Sequence, residues 1–295
     1  MRASKLEYIS VSSINDFQAD RLRWCYKWIE NRVPRRTPQA LTVGKVVHRA
    51  FEAAFLEQAN VGSALSRLLP DAPPLGEESE WQELRGYVEP LSHWRDQFPV
   101  EDTLEVEEPF ELSTTAGVPF RGRPDRVARI FGKAFHVQNK TCGASIKLGT
   151  YITLARRNMH ELLYGWYLRE KYARQGIEYG GTIYNIIRKL KYRGVPTKKE
   201  PEGKILHKPE EIFLQTVIGM DDAQIESARD DLSTLSVEMD RTADAYLSGR
   251  LIPSTRREDG GAYGSSVDPY TLVFLNEIGL EDDAYFQDRE ETYEQ

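Results

Sequence analysis

Two short stretches carry residue types suited to holding a cation against a phosphate. Pro124-Asp125 lies in "GRPDRV", and Gln138-Asn139-Lys140 follows in "VQNKT". Phosphodiester hydrolysis calls for a bound metal that polarises the phosphate and generates hydroxide, often with a second cation on the leaving oxygen. Mg²⁺ takes hard oxygen ligands, which carboxylates on adjacent strands supply. Asp125 is such a carboxylate. Lys140, two residues after Gln138, would orient the attacking water or offset charge in the transition state. His48, in "GKVVHRAFE", would come from a separate element. Each signal alone is weak: Pro-Asp is common in turns, Gln-x-Lys occurs by chance, and a histidine beside an apolar stripe is ordinarily a core residue.

Hydrophobic periodicity supplies the elements that would position these groups. Residues 13 to 31 and 42 to 58 read as helices, the second burying Val43, Val46, Val47, Ala50, Phe51, Ala54 and Phe55, with Gly44, His48 and Glu52 in the row beside them. A third helical pattern covers about 78 to 97, with Trp81, Leu84, Val88, Leu91 and Trp94 facing one way. The period then changes to two. Residues 104 to 112, 118 to 131 and 134 to 140 read as a strand meander. On its last strand, alternation puts His136, Gln138 and Lys140 on one face and Phe135, Val137 and Asn139 on the other. A helix over about 153 to 173 would bury Ala155, Met159, Leu162, Leu163 and Trp166, beside a row of Arg157, His160 and Tyr164. Strands at 181 to 188 and 211 to 218 and a long helix from about 221 to 248 complete the pattern, with no internal repeat.

Composition sets the outer bounds. The 295 residues are 40% hydrophobic and 29% charged, ordinary for a soluble globular chain, and no window reads as a membrane span. The start, "MRASKLEYIS", has no apolar signal core, so the expected location is the cytoplasm. Two cysteines, Cys25 and Cys142, are too few for a disulfide framework or a four-thiolate metal site. The net charge of −7 is unevenly spread: residues 281 to 295 form an acidic tail of net −6, whereas 188 to 208 hold eight Lys/Arg against two Glu, a net of +6. Such runs are usually solvated, and the basic one gains meaning only beside a site.

The order "GKVVHRAFE", "VEEPFEL", "GRPDRV", "VQNKT", "HELLY" resembles the PD-(D/E)xK nuclease superfamily, in particular its RecB-like branch of phage and bacterial exonucleases, over about residues 8 to 275. The resemblance implies an α/β fold, a mixed central sheet flanked by helices, here with a helical N-terminal elaboration. It also implies Mg²⁺ or Mn²⁺ held by His48, Asp125, the residue at 138 and the backbone carbonyl of Asn139, with Asp125, Gln138 and Lys140 as the catalytic set. Glu107 resembles a further family acid. A Gln-x-x-x-Tyr motif that contacts DNA in the family is matched in spacing by His160 and Tyr164. Two departures stand out. Gln138 replaces the acid of the (D/E)xK motif and brings an oxygen without a charge. The cysteines that hold an iron-sulfur cluster in many relatives are replaced by Asp20 and Asp268, so no cluster is expected.

The expectation is therefore a Mg²⁺- or Mn²⁺-dependent deoxyribonuclease, an exonuclease acting on single strands or duplex ends in recombination, repair or phage DNA processing, in a bacterial or phage-infected cell. A helicase or recombination protein would be its partner. Arg157, His160, Tyr164, Arg188, Lys189, Lys191, Arg193, Lys198 and Lys199 are the expected DNA contacts. The alternative is a catalytically weakened DNA-binding or recombination-partner module on the same fold. Residues 1 to 280 are expected to form one domain: a helical preface over 1 to 100, a core over about 101 to 220, and a long helix with a C-terminal cap over 221 to 280.

Overall fold

The computed structural model describes residues 6–34, 39–69, 78–143, 147–192, 203–250, 252 and 286–288. Its helices are α1 (Val11–Ala19), α2 (Arg21–Trp24) with a π-helical turn (Cys25–Ile29), α3 (Gln39–Glu57), α4 (Val61–Leu68), α5 (Glu78–Ser92), α6 (Leu148–Ala155), α7 (Met159–Ala173), α8 (Pro209–Ile212) and α9 (Asp222–Leu247). The strands are β1 (Arg32–Pro34), β2 (Val100–Val106), β3 (Phe110–Leu112), β4 (Phe120–Gly122), β5 (Arg126–Ile130), β6 (Lys133–Gly143), β7 (Tyr179–Lys189), β8 (Phe213–Ile218) and β9 (Phe286–Asp288). The chain divides into two compact units, one of Pro38–Glu108 with Pro124–Glu226, the other of Met1–Thr37, Pro109–Arg123 and Ser227–Gln295.

The unit built around Pro124–Glu226 contains a five-stranded mixed sheet in the order β2-β5-β6-β7-β8. Among its described strands only the β6–β7 pair is parallel. The chain between those two strands contains α6 and α7, the helical crossover that a parallel pair requires. One face of the sheet is covered by α3, α4 and α5, whose Val43, Val47, Phe51, Leu65, Leu84 and Leu91 pack with Ile187 and Phe213. The other face takes α6 and α7, where Ala155 meets Tyr184 and Ile186, and Leu168 and Tyr172 meet Val127 and Ala134. Being covered on both sides, the middle of β6 is buried without interruption from Ala134 to Asn139. Close approach needs small residues. A Cβ on Gly44 of α3 would sit 3.4 Å from Thr141 Oγ1 on β6, one turn before His48.

In the other unit, Ser10 caps α1 through Ser13 N at 3.2 Å. The single helix expected over 13 to 31 is broken at Asp20. Its backbone is extended, with φ −161° and ψ 112°, and its carboxylate accepts from Leu22 N and Arg23 N, ending α1 and starting α2. Asp20, read from the sequence as standing in for a cluster cysteine, is thus a helix cap. β3 pairs with β4, and β1 with β9, both antiparallel.

The strand meander is likewise more broken than its periodicity suggests. The strand expected over 104 to 112 ends at Glu107, which adopts a left-handed φ of +51° ahead of Pro109. The strand expected over 118 to 131 is split at Pro124-Asp125, since proline cannot donate to a ladder. The helix expected over 153 to 173 divides at Asn158, whose side chain accepts from His160 N at 3.0 Å and caps α7. The helix expected to reach 97 stops at Ser92. Among the described residues no helix is long and apolar enough to cross a membrane.

The packing of α4 on α5, which backs α3, is set by Gly62: a Cβ there would lie 2.4 Å from Val88 O and 2.5 Å from Ser92 N. Backbone atoms cannot yield cheaply, so Gly62→Ala should lower unfolding stability by about 1–3 kcal/mol. Gly86, exposed on α5 with nothing within 4 Å of its would-be Cβ, is the control. Gly86→Ala should stabilise by roughly 0.5–1 kcal/mol. Urea denaturation of both variants checks the contrast.

Candidate active site

The site is built around Asp125, 4% exposed at the start of β5. Its Oδ2 accepts the backbone N–H of Asn139 at 2.7 Å and lies 3.3 Å from Nδ1 of His48. Its carbonyl accepts the N–H of Glu107 at 3.2 Å, so the acid at the end of β2 is tied to Asp125 through the backbone. Glu107 is itself 9% exposed. His48 arrives from α3, and burial lowers its pKa, opposed by the charge of Asp125. The charge of Lys140 adds to the lowering.

A row of amide side chains fixes Asn139. In register across β6, β7 and β8 stand Asn139, Asn185 and Gln215. Asn185 Nδ2 donates to Asn139 Oδ1 at 2.9 Å, and Gln215 Nε2 donates to Asn185 Oδ1 at 2.6 Å. Gln215 Nε2 also reaches Asp96 Oδ1 at 3.1 Å, and Asp96 pairs with Arg126 at 3.0 Å. The Arg126 guanidinium closes the chain of contacts 4.2 Å from the Phe55 ring centroid. With its side chain held this way, the Asn139 peptide has little freedom, and its N–H stays on Asp125.

Gln138 is 3% exposed, and its Oε1 accepts no hydrogen bond among the described residues. Tyr184, its partner across β7, donates its hydroxyl to Glu161 at 2.8 Å. Residues paired across a ladder project to the same face, so Gln138 points toward α7. That helix presents His160, Glu161 and Tyr164. The His160 ring stands edge-on to Tyr164 at 4.1 Å, and the Tyr164 ring lies 5.4 Å from that of His136. Tyr164 is only 4% exposed, so packing accounts for most of its surface, while the His160 side chain keeps 13%.

Glu161, absent from every sequence expectation, is fully buried between His136 and His160, its oxygens 3.5 Å and 3.6 Å from their Nδ1 atoms. Burial opposes its charge, but His160, His136 and Lys140 outweigh that and hold the carboxyl below the usual range. The expected apolar stripe on this helix holds for Leu162 and Leu163, but Trp166 is half-buried and Arg157 lies exposed before the helix begins. Glu161 occupies a position next to Leu162 that periodicity alone assigns to neither face.

These residues fit a divalent cation in donor chemistry. They offer the Asp125 carboxylate, the unsatisfied Gln138 oxygen, the Asn139 carbonyl and the His48 imidazole, all hard or borderline donors. Among the described residues no three His, Cys, Asp or Glu side chains are grouped as a metal site. A cation here would therefore draw on the amide and peptide oxygens as well.

Of the expected DNA contacts, Arg157 and Lys191 are exposed, and Arg188 is half-buried with Nη1 3.4 Å from Glu211 O. Lys189 pairs with Glu83 at 3.3 Å. Arg193, Lys198, Lys199 and Asp268 lie outside the described residues.

Two outcomes follow. Asn185→Ala would strand the buried amides of Asn139 and Gln215, so urea denaturation should show a loss of about 1–3 kcal/mol. Burial pushes His160 down from 6.5 to about 3. Unfolding therefore takes up a proton between those values, and the stability owed to the neutral ring is full above 6.5 and is lost as pH falls toward 3. The slope from this group is at most about 1.4 kcal/mol per pH unit, reduced by the ring's residual exposure. Melting temperature against pH should fall less steeply for His160→Gln than for the wild type.

The model of the PD-(D/E)XK nuclease superfamily matches residues 8–256. Among solved structures, a candidate exonuclease from Eubacterium rectale is similar, with 15% identity, 92% of this chain and 94% of that chain covered, and a TM-score of 0.47. No curated protein matches the chain. With its mixed sheet flanked by helices and its family match across most of the length, the chain belongs to the PD-(D/E)XK nuclease superfamily.

Proposed function

We propose that the protein is a Mg²⁺- or Mn²⁺-dependent DNA nuclease, acting as an exonuclease on single strands or duplex ends in bacterial or phage DNA processing. The observation that carries this reading is the buried Asp125, bonded to the Asn139 N–H at 2.7 Å and beside His48 at 3.3 Å. Asp125, the Gln138 oxygen, the Asn139 carbonyl and His48 would hold the cation, with Glu107 as a further acid. A cation held there would supply the polarisation of the phosphate and the hydroxide that hydrolysis needs near neutral pH.

The chain's own residues do the rest. The Asn139 N–H holds one oxygen of Asp125 at 2.7 Å, which leaves its second oxygen and the Asn139 carbonyl to be offered to the cation. Lys140, two residues after Gln138 on β6, would orient the attacking water and offset charge on the phosphate oxygens. His160, kept neutral by burial, offers a ring nitrogen rather than a positive charge to a nucleotide entering beside α7. Arg157 and Lys191, both exposed, would attract the backbone. A helicase or recombination protein would deliver the DNA.

A second reading, a DNA-binding module of reduced activity, is favoured by Gln138, which adds no charge where the family motif has an acid. Cleavage of labelled single-stranded, blunt and overhang DNA with Mg²⁺ or Mn²⁺ separates the two. On the nuclease reading, Asp125→Ala abolishes cleavage. Lys140→Ala lowers turnover about 10²–10³-fold while DNA binding stays within about twofold. Gln138→Glu raises activity at limiting cation. No cleavage by the wild type or by Gln138→Glu, with DNA binding intact, would establish the binding module instead.

A further inference from the structure

The family motif leaves one carboxylate without a role. Glu161 is fully buried on the face toward which Gln138 points. Tyr184, the register partner of Gln138, donates to its Oε1 at 2.8 Å. His136, two residues before Gln138 and on the same side of β6, holds Nδ1 3.5 Å from Oε2, without forming a well-aligned hydrogen bond. Among the described residues Oε2 accepts no hydrogen bond, no Lys or Arg pairs with Glu161, and the neighbouring Gln138 Oε1 is equally unsatisfied. A buried carboxylate is costly unless donors or a cation compensate it. Tyr184 bonds one of its oxygens, while the other meets the His136 ring at 3.5 Å, the outer limit of a hydrogen bond.

We infer that Glu161 supplies the second negative charge of the cation centre, so that Asp125 and Glu161, rather than Asp125 and residue 138, form its acidic pair. The inference rests on the cation-dependent nuclease reading above. Tyr184 links the two acids: its hydroxyl donates to Glu161 at 2.8 Å, and it stands in register with Gln138, the residue before the Asn139 N–H that bonds Asp125 at 2.7 Å. The positive charge of Lys140, two residues after Gln138, favours the ionised form of Glu161. Glu161 and Gln138 then divide between them what one acid does in the family motif: the amide offers the oxygen and the helix carboxylate the charge. This division requires no bond from Glu161 to the ion, only its charge on that buried face.

Isothermal titration of the full chain with MnCl₂, in the absence of DNA, tests this apart from catalysis. Glu161→Gln should weaken Mn²⁺ binding about tenfold or more, and Glu161→Gln/Gln138→Glu should restore it to within about threefold of the wild type. Glu161→Asp, which keeps the charge on a shorter stem, should bind Mn²⁺ like the wild type even if it melts lower. Wild-type affinity in a folded Glu161→Gln overturns the inference, as does a folded double variant that fails to recover. Should Glu161→Gln or the double variant lose its circular dichroism signature, Glu161→Asp decides: retained Mn²⁺ affinity upholds the inference and lost affinity overturns it. If the wild type itself binds no Mn²⁺ at millimolar concentration, the cation-dependent reading fails, an outcome distinct from wild-type binding that is indifferent to Glu161.

Discussion

A single hydrogen bond, from the Asn139 peptide to the Asp125 carboxylate, fixes the geometry on which the site depends. It joins the start of β5 to the middle of β6 at a buried point, Asp125 and Asn139 being 4% and 2% exposed. A charge-assisted bond of this kind is stronger than a neutral one and far more expensive to lose when buried. The carbonyl expected to face the cation belongs to the same residue, on the next peptide. Fixing Asn139 therefore constrains both the acid and that carbonyl in one structural event.

That event is secured from behind by polar groups rather than by apolar packing. Asn139, Asn185 and Gln215 stand in register on three strands, and each amide fixes the next until the row ends on Asp96 and Arg126. An apolar row of the same volume would pack as well but would specify neither strand register nor peptide orientation, because a slip would leave nothing unsatisfied. With amides, a slip of the register leaves buried donors and acceptors bare at a cost of about 1–3 kcal/mol each. The helices on the two faces then need only to place His48 from one side and His160 and Glu161 from the other.

Much of this was legible in the sequence. Alternation along 134 to 140 put His136, Gln138 and Lys140 on one face, and the apolar stripe of α3 put His48 beside the core. The superfamily order of motifs anticipated the mixed sheet. The breaks were less visible. Asp20 and Asn158 end helices because their side chains cap the next one, a local bond that competes with periodicity and outweighs it over one turn. Glu107 turns the chain with a left-handed φ of +51°, a conformation for which the sequence offers no glycine. The amide row could not have been read at all, since residues 139, 185 and 215 become neighbours only through sheet register. Glu161 was missed for a related reason: beside Leu162 on a helix it reads as a solvent-facing acid, and only the neighbouring strands show it to be buried.

Gln138 acquires a physical rationale from those neighbours. Asp125, Glu107 and Glu161 already place three carboxyl groups in buried or nearly buried positions in this unit, at 4%, 9% and 0% exposure. A fourth carboxylate on the α7 side, in the same low-dielectric interior, would repel Glu161 whenever the cation is absent, and like charges at close range keep one of the pair protonated. An amide keeps the oxygen and removes the repulsion. The cation-free fold is then easier to maintain, and the price is weaker attraction for a second ion, since the motif position itself contributes none. The substitution therefore moves the charge requirement from the strand to the helix, where the Tyr184 hydroxyl donates to the Glu161 carboxylate at 2.8 Å and the His136 and His160 rings flank it. A centre arranged in this way stays folded and charged while waiting for both of its ligands.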